Sequence, residues 1–153
     1  MRLKTAIGRI LGEGGRVTGA ETAAGDLIDA DLVVVGIGVV PNVELAVAAG
    51  IPVDNGILVD EFMQTGAPGI VAIGDCVSFR HHHLGRRIRL ESVQNAVDQG
   101  RTAAATLLGR KEPFREVPWF WSDQGDVKLQ MVGLSFDATR SVVRGKPEDG
   151  AFS

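Results

Sequence analysis

Along residues 1–30 apolar and polar positions alternate in short stretches broken by glycine. "GEGGRVTGAET" and "AAGDLIDAD" resemble a meander more than a helix and predict short strands joined by Gly turns. At residues 32–35 the pattern changes to Leu-Val-Val-Val. A β-branched run without alternation predicts a strand covered on both faces, ended here by Gly36 and Gly38. Pro41-Asn42 then opens a short helix through "VELAVAAG", closed by Gly50. "NGILVD" (55–60) predicts a turn and a short strand, and "IVAI" (70–73) a second fully buried strand, stopped by Gly74 and Asp75. "VSFRHHHLGRRIRLES" predicts a hairpin with Leu84-Gly85 at its tip and Ile88 and Leu90 alternating on the return.

The most regular pattern follows. Val93, Ala96, Val97, Gly100, Ala104 and Leu107 recur at i, i+3, i+4, i+7 spacing, which predicts a helix with this row as its apolar face and Gly109 as its stop. "RKEPFREVP" (110–118), with Lys111 and Glu112, is a polar, Pro-bearing linker and a boundary candidate. "WFWSDQGDVKLQMVGL" predicts a second hairpin turning near Gly125-Asp126, and the last ten residues stop on a turn with no closing element. Two unalternating strands that each end in glycine point to an α/β sheet whose ligands lie beyond the strands' carboxyl ends.

Composition narrows the choices. With 153 residues, 44% of them apolar, the chain is one ordinary domain or pieces of more than one. A net charge of -3 gives no support for a nucleic-acid or membrane partner. The single cysteine, Cys76, permits no internal disulfide and no CxxC motif, which fits a reducing cytosol. The longest apolar stretch, "LVVVGIGVV", falls far short of the roughly 20 residues that span a bilayer. Arg9 stands where a signal peptide needs its apolar centre, so a cytoplasmic chain is expected.

Few residues suggest direct chemistry. His81, His82 and His83 follow one another in a predicted strand, where neighbours face opposite sides, so they read as an exposed hairpin rather than a metal site. Cys76 follows an apolar run without a partner base and reads as a small buried hydrophobe. No Ser/His/Asp arrangement is present, and no residue is expected to act as a covalent catalyst.

A carboxylate directly after a buried run remains to be explained. The phrase "TGAPGIVAIGDC", from Thr65 to Cys76, resembles the second flavin-binding motif of the pyridine nucleotide-disulfide oxidoreductase superfamily, with Val71 where an aromatic is frequent. The resemblance implies that Asp75 hydrogen-bonds the ribityl chain of FAD, that Gly74 admits the backbone to it, and that Thr65 belongs to the same motif. "ADLVVVGIGVVPN" resembles the strand closing the NAD-binding domain of that family, where Gly36 and Gly38 leave room for the dinucleotide.

"RLESVQNAVDQGRTAAATLLG" followed by "PWFWSDQ" resembles the ferredoxin reductases of bacterial oxygenase systems, the putidaredoxin reductase branch. There Glu91, Ser92 and Val93 would meet the flavin at a helix start, Trp121 would lie beside the flavin on the ferredoxin side, and Arg101 would face the docking surface. The implied fold is α/β, with incomplete FAD/NAD(P)-binding Rossmann-like layers followed by the start of an α+β reductase C-terminal domain. The implied division is 1–44 for the last part of the NAD domain, 45–112 for the second half of the FAD domain and 113–153 for the beginning of an interface domain. The implied activity moves electrons from NAD(P)H through FAD to an iron–sulphur ferredoxin.

The family's two Gly-x-Gly-x-x-Gly turns, for the FAD pyrophosphate and for NAD, are not found in these residues, so the chain reads as an internal or truncated piece of a longer enzyme. The residues that choose between NADH and NADPH fall outside it. Two other readings stay open: a non-catalytic module that keeps the fold, and a flavoprotein of the apoptosis-inducing-factor kind.

Overall fold

A computed structural model describes residues 2–153. The chain forms two compact units that divide between Val40 and Pro41.

The first unit is the expected meander. Strands β1 (Ile7–Glu13), β2 (Arg16–Thr22) and β3 (Leu27–Asp29) pair antiparallel in sequence order. Arg9 lies opposite Glu21 in the register and donates to its carboxylate at 2.7 Å. Beyond β3 the expectation fails. Residues 32–35 form no strand, and Leu32, Val34 and Val35 are 78%, 86% and 62% exposed. The β-branched run has the propensity, but no strand among the described residues lies beside it, and an extended segment without a partner leaves its backbone groups unpaired.

The second unit is a mixed α/β assembly. Helix α1 (Glu44–Ala48) is short and ends at Gly50, whose φ of +72° is the left-handed conformation expected there. Strands β4 (Ile57–Leu58), β5 (Val77–Arg80) and β6 (Arg87–Ile88) make a three-stranded sheet, parallel between β4 and β5 and antiparallel between β5 and β6. Gly56 is required where this sheet begins: at φ +122°, an added Cβ would stand 2.8 Å from the carbonyl oxygen of Cys76.

Here a second expectation is corrected. Residues 70–73 are an irregular segment joined to Gln64 by a single bridge at Val71, and the strand lies after Asp75 instead of before it. Val71 and Ala72 reach the core, while Ile70 and Ile73 are half-exposed. The run is apolar for packing, and its peptide groups are turned toward local partners: Ala72 N–H donates to Met63 O and Thr65 N–H to Ile70 O.

The core gathers Val59, Met63, Val77, Phe79, Ala103 and Phe114. Phe114 comes from the Pro-bearing linker, which is irregular as expected but fastened: its ring meets Phe79 edge-on at 5.4 Å, and its N–H donates to Glu61 O. Helix α2 (Val93–Leu107) has the expected bounds but a different buried face. Asn95, Gln99, Ala103 and Ala105 are inside, whereas Val93, Val97 and Leu107 are 65%, 45% and 62% exposed. Hairpin β7 (Trp119–Gln124) and β8 (Val127–Val132) turns at Gly125-Asp126 as expected. The chain closes on a small antiparallel pair, β9 (Gly145–Lys146) with β10 (Ala151–Phe152), where no closing element was expected.

The hairpin between β5 and β6 also departs in detail. His81 is 5% exposed, and its Nδ1 accepts the Leu84 N–H at 3.3 Å, because the three histidines occupy the turn and not a strand. Burial first, then the neighbouring His83 and His82, hold its pKa below the ordinary 6.5. The neutral ring is therefore the form the fold favours. Stability is present above the unfolded value of 6.5 and is lost as pH falls below it toward the lowered folded value. Thermal unfolding followed by far-UV circular dichroism should show a lower Tm at pH 5 than at pH 8, and His81→Leu should flatten that difference.

Candidate functional site

Four of the residues singled out in the sequence converge in the second unit. Asp75, Glu91, Ser92 and Val93, with Ala96, Val97 and Phe120, line a recess of about 610 Å³. Two local structures make it.

The first is a short 3-10 turn, Gly74–Cys76. Gly74 sits at φ +82°, with an added Cβ 3.7 Å from the Ala96 side chain, so glycine both allows the turn and lets it lie directly on helix α2. Its N–H donates to Gln99 Oε1 at 2.7 Å. Gln99 is fully buried, and its Nε2 has no partner among the described residues. On the other side of Asp75, its carbonyl oxygen accepts from Arg89 Nη1 at 3.1 Å. The peptide is thus held at both ends, while the Asp75 carboxylate takes no hydrogen bond or ion pair among the described residues and stays available to a ligand.

The second is the start of helix α2. Ser92 is the N-cap, extended at φ -154° and ψ 147°, and its hydroxyl accepts the Asn95 N–H at 3.2 Å. Asn95 Nδ2 donates to Leu90 O at 3.3 Å, which ties the approaching chain to the first turn. The amides of Val93 and Gln94 keep no intrahelical acceptor, and the helix end carries partial positive charge. Glu91, just before the cap, is paired with Arg89 at 2.7 Å. The recess therefore offers an open carboxylate at one side, a helix N-terminus at another, and an apolar floor of Val93, Ala96, Val97 and Phe120. That combination suits a ligand with donor hydroxyls on a flexible chain and a flat, electron-poor ring.

The other singled-out residues lie elsewhere. Thr65 is in the turn before residue 70, where its hydroxyl donates to Ile70 O at 3.0 Å and accepts from Ala67 N, and it borders a separate recess with Pro52, Gln64 and Arg87. Gly36 and Gly38 belong to the first unit, Gly38 at φ +100°. Arg101 is exposed on helix α2 and pairs with Asp98 at 2.7 Å. Trp121 stacks on Trp119 at 5.1 Å and is 40% exposed. Strand alternation turns Phe120 the other way, so Phe120, and not Trp121, forms part of the recess wall.

Three contributors escaped the sequence reading: Phe120, Gln99 and Arg89. Arg89 had a signal, since it stands out of phase between Ile88 and Leu90 and must face away from them. Nothing distinguished Gln99 from a solvated polar position. Among the described residues no cluster of His, Cys, Asp or Glu could hold a metal ion, and no helix is long and apolar enough to cross a membrane.

Known proteins resemble this chain throughout. Residues 1–100 match the family described as pyridine nucleotide-disulphide oxidoreductase, and residues 119–153 match the reductase C-terminal family. Rhodocoxin reductase from Rhodococcus erythropolis is 54% identical over 153 residues, covering the whole of this chain and 36% of that protein. The crystal structure of the ferredoxin reductase for the CYP199A2 system from Rhodopseudomonas palustris superposes with a TM-score of 0.92 at 49% identity, over 97% of this chain and 37% of that one. The covalent putidaredoxin reductase–putidaredoxin complex matches with a TM-score of 0.86 at 45% identity, over 93% and 34%. The chain spans little more than a third of the length of these relatives.

Proposed function

Since this chain belongs to the pyridine nucleotide-disulphide oxidoreductase family, we propose that it is part of a flavin-dependent NAD(P)H:ferredoxin reductase, passing electrons from NADH through FAD to an iron–sulphur ferredoxin of an oxygenase system. One observation carries this reading: Asp75 from one motif and Glu91, Ser92 and Val93 from another, with Asp75 and Glu91 sixteen residues apart, border one recess at a helix N-terminus. FAD, when bound, supplies the conversion of a two-electron hydride into single electrons. The residues of this chain fit one end of it. Asp75 would accept from ribityl hydroxyls, Gly74 would let them approach the backbone, and the amides of Val93 and Gln94 would face the acceptor edge of the ring, where negative charge develops on reduction. Phe120, Val93 and Val97 would keep water from it. No side chain is assigned a covalent role.

In this reading residues 1–44 close the NAD-binding domain, with Gly36 and Gly38 beside the dinucleotide; 45–112 complete the FAD-binding domain, Thr65 included; and 113–153 begin the interface domain. The protein is cytoplasmic. Trp121 and Arg101 are exposed on β7 and α2, and we assign both to the ferredoxin side.

The test uses the protein at the length its gene encodes, purified and assayed for NADH-dependent reduction of a ferredoxin and of a small artificial acceptor. Trp121→Ala with Arg101→Glu should slow ferredoxin reduction roughly three- to tenfold, mainly through association, and added salt should shrink the difference from wild type. Reduction of the small acceptor should stay near wild type. Equal losses with both acceptors would remove the docking assignment, and a protein without flavin or NADH oxidation would remove the reductase reading.

A further inference from the structure

We infer that Arg89 is the positioning residue of the recess, fixing Asp75 and Glu91 in the places from which they would meet the flavin. The inference rests on the flavin reading above and assigns Arg89 no contact with the ligand.

The Arg89 side chain is only 12% exposed and joins three segments distant in sequence. Its Nε donates to Asn55 Oδ1 at 3.3 Å, its Nη1 donates to the Asp75 carbonyl oxygen at 3.1 Å, and the same Nη1 lies 2.7 Å from Glu91 Oε1. A guanidinium can serve all three because it is planar, permanently charged and presents five donors in a fixed fork. An ammonium is a single point of charge and cannot span them.

Two effects follow at the site. The Asp75 carbonyl is tied by Arg89 while the preceding amide, Gly74 N–H, is tied by Gln99, so the peptide that carries the open carboxylate has one orientation. Glu91 is given a cation beside it, which keeps a second negative charge paired at the rim of a recess already holding Asp75. Without Arg89 the Asp75 turn would lose its outer fastening, and an unpaired Glu91 would stand next to the helix N-terminus that the ring needs.

Arg89 is thus expected to act through Asp75, and a double-mutant cycle reads that directly. In the gene-length protein stripped of flavin, FAD affinity is measured by titration for wild type, Arg89→Ala, Asp75→Ala and the double variant, with the visible circular dichroism of the bound flavin recorded for each. Arg89→Ala should weaken FAD about tenfold and alter the flavin's dichroism, and Arg89→Lys should restore only part of either. The double variant should fall no more than about threefold below Asp75→Ala, because the Asp75 turn then has no carboxylate left to present and only the pairing with Glu91 remains for Arg89 to supply. Losses that multiply, or an unchanged flavin dichroism in Arg89→Ala, would assign Arg89 a general structural role and overturn the inference. FAD bound equally by wild type and Arg89→Ala would overturn it while leaving the flavin reading intact; wild-type protein that takes no FAD would overturn both. If Arg89→Ala does not fold, Arg89→Gln carries the same cycle.

Discussion

Asp75→Ala should lower FAD affinity about 10- to 150-fold in the gene-length protein, the equivalent of the roughly 1.5–3 kcal/mol that a hydrogen bond to a charged group contributes. The substitution removes only the carboxylate. The turn beneath it is held by backbone groups, Gly74 N–H to Gln99 and Asp75 O to Arg89, and neither bond involves the Asp75 side chain. Tm should therefore change little while flavin is lost. Asp75→Asn, which keeps an oxygen acceptor without the charge, should fall between the two. The measurement is flavin content and dissociation constant for proteins purified side by side. Equal flavin in all three would show that the Asp75 carboxylate does not contact the flavin.

A larger effect is expected when the 153 residues are expressed by themselves: FAD should not be retained in stoichiometric amount, and NADH oxidation should be undetectable. The pyrophosphate of such cofactors sits on a Gly-rich turn at a helix N-terminus, and no Gly-x-Gly-x-x-Gly is found among these residues. Each tenfold in affinity is about 1.4 kcal/mol, so losing that anchor costs several factors of ten. Solubility should suffer as well. Val34, Ile37 and Val40 are 86%, 91% and 87% exposed, and the outer row of α2 adds Val93, Val97 and Leu107. The chain is mixed with excess FAD, freed of unbound flavin by gel filtration, and its visible spectrum and elution volume are recorded. A monodisperse yellow protein that oxidises NADH would be a minimal reductase and would refute the expectation.

What the sequence disclosed, and what it hid, follows from how local each signal is. Helix α2 and both hairpins were legible because their stops are chemical: Ser92 caps, Gly109 and Gly125 have φ of +77° and +61°. The inward face of α2 was not legible. Val93, Val97 and Leu107 of its apolar row point out, while Asn95 and Gln99 point in beside Ala103 and Ala105, because Gln99 and Asn95 have backbone partners at Gly74 and Leu90 that lie outside the helix. Residues 32–35 and 70–73 misled for a related reason. An apolar run states that a segment is to be covered, not which element covers it or whether its peptides pair in a ladder. Asp75, Glu91, Ser92 and Val93 came from motif resemblance and share one recess, whereas in "WFW" only the phase of β7 decides which aromatic faces it, and that phase is fixed by pairing with β8.

The stack of Trp119 on Trp121 has an optical consequence. The chain has two tryptophans and no tyrosine, so its intrinsic emission arises from one strand of one hairpin. Phe79 and Phe114, at the centre of the core, contribute almost nothing at tryptophan wavelengths. Two indoles 5.1 Å apart and inclined by 26° should also couple their transitions, giving a paired dichroic band that vanishes when the hairpin opens. Fluorescence melts of these 153 residues consequently describe β7 and β8, and a transition seen in emission but absent from far-UV dichroism would mark the hairpin parting from a still-folded core.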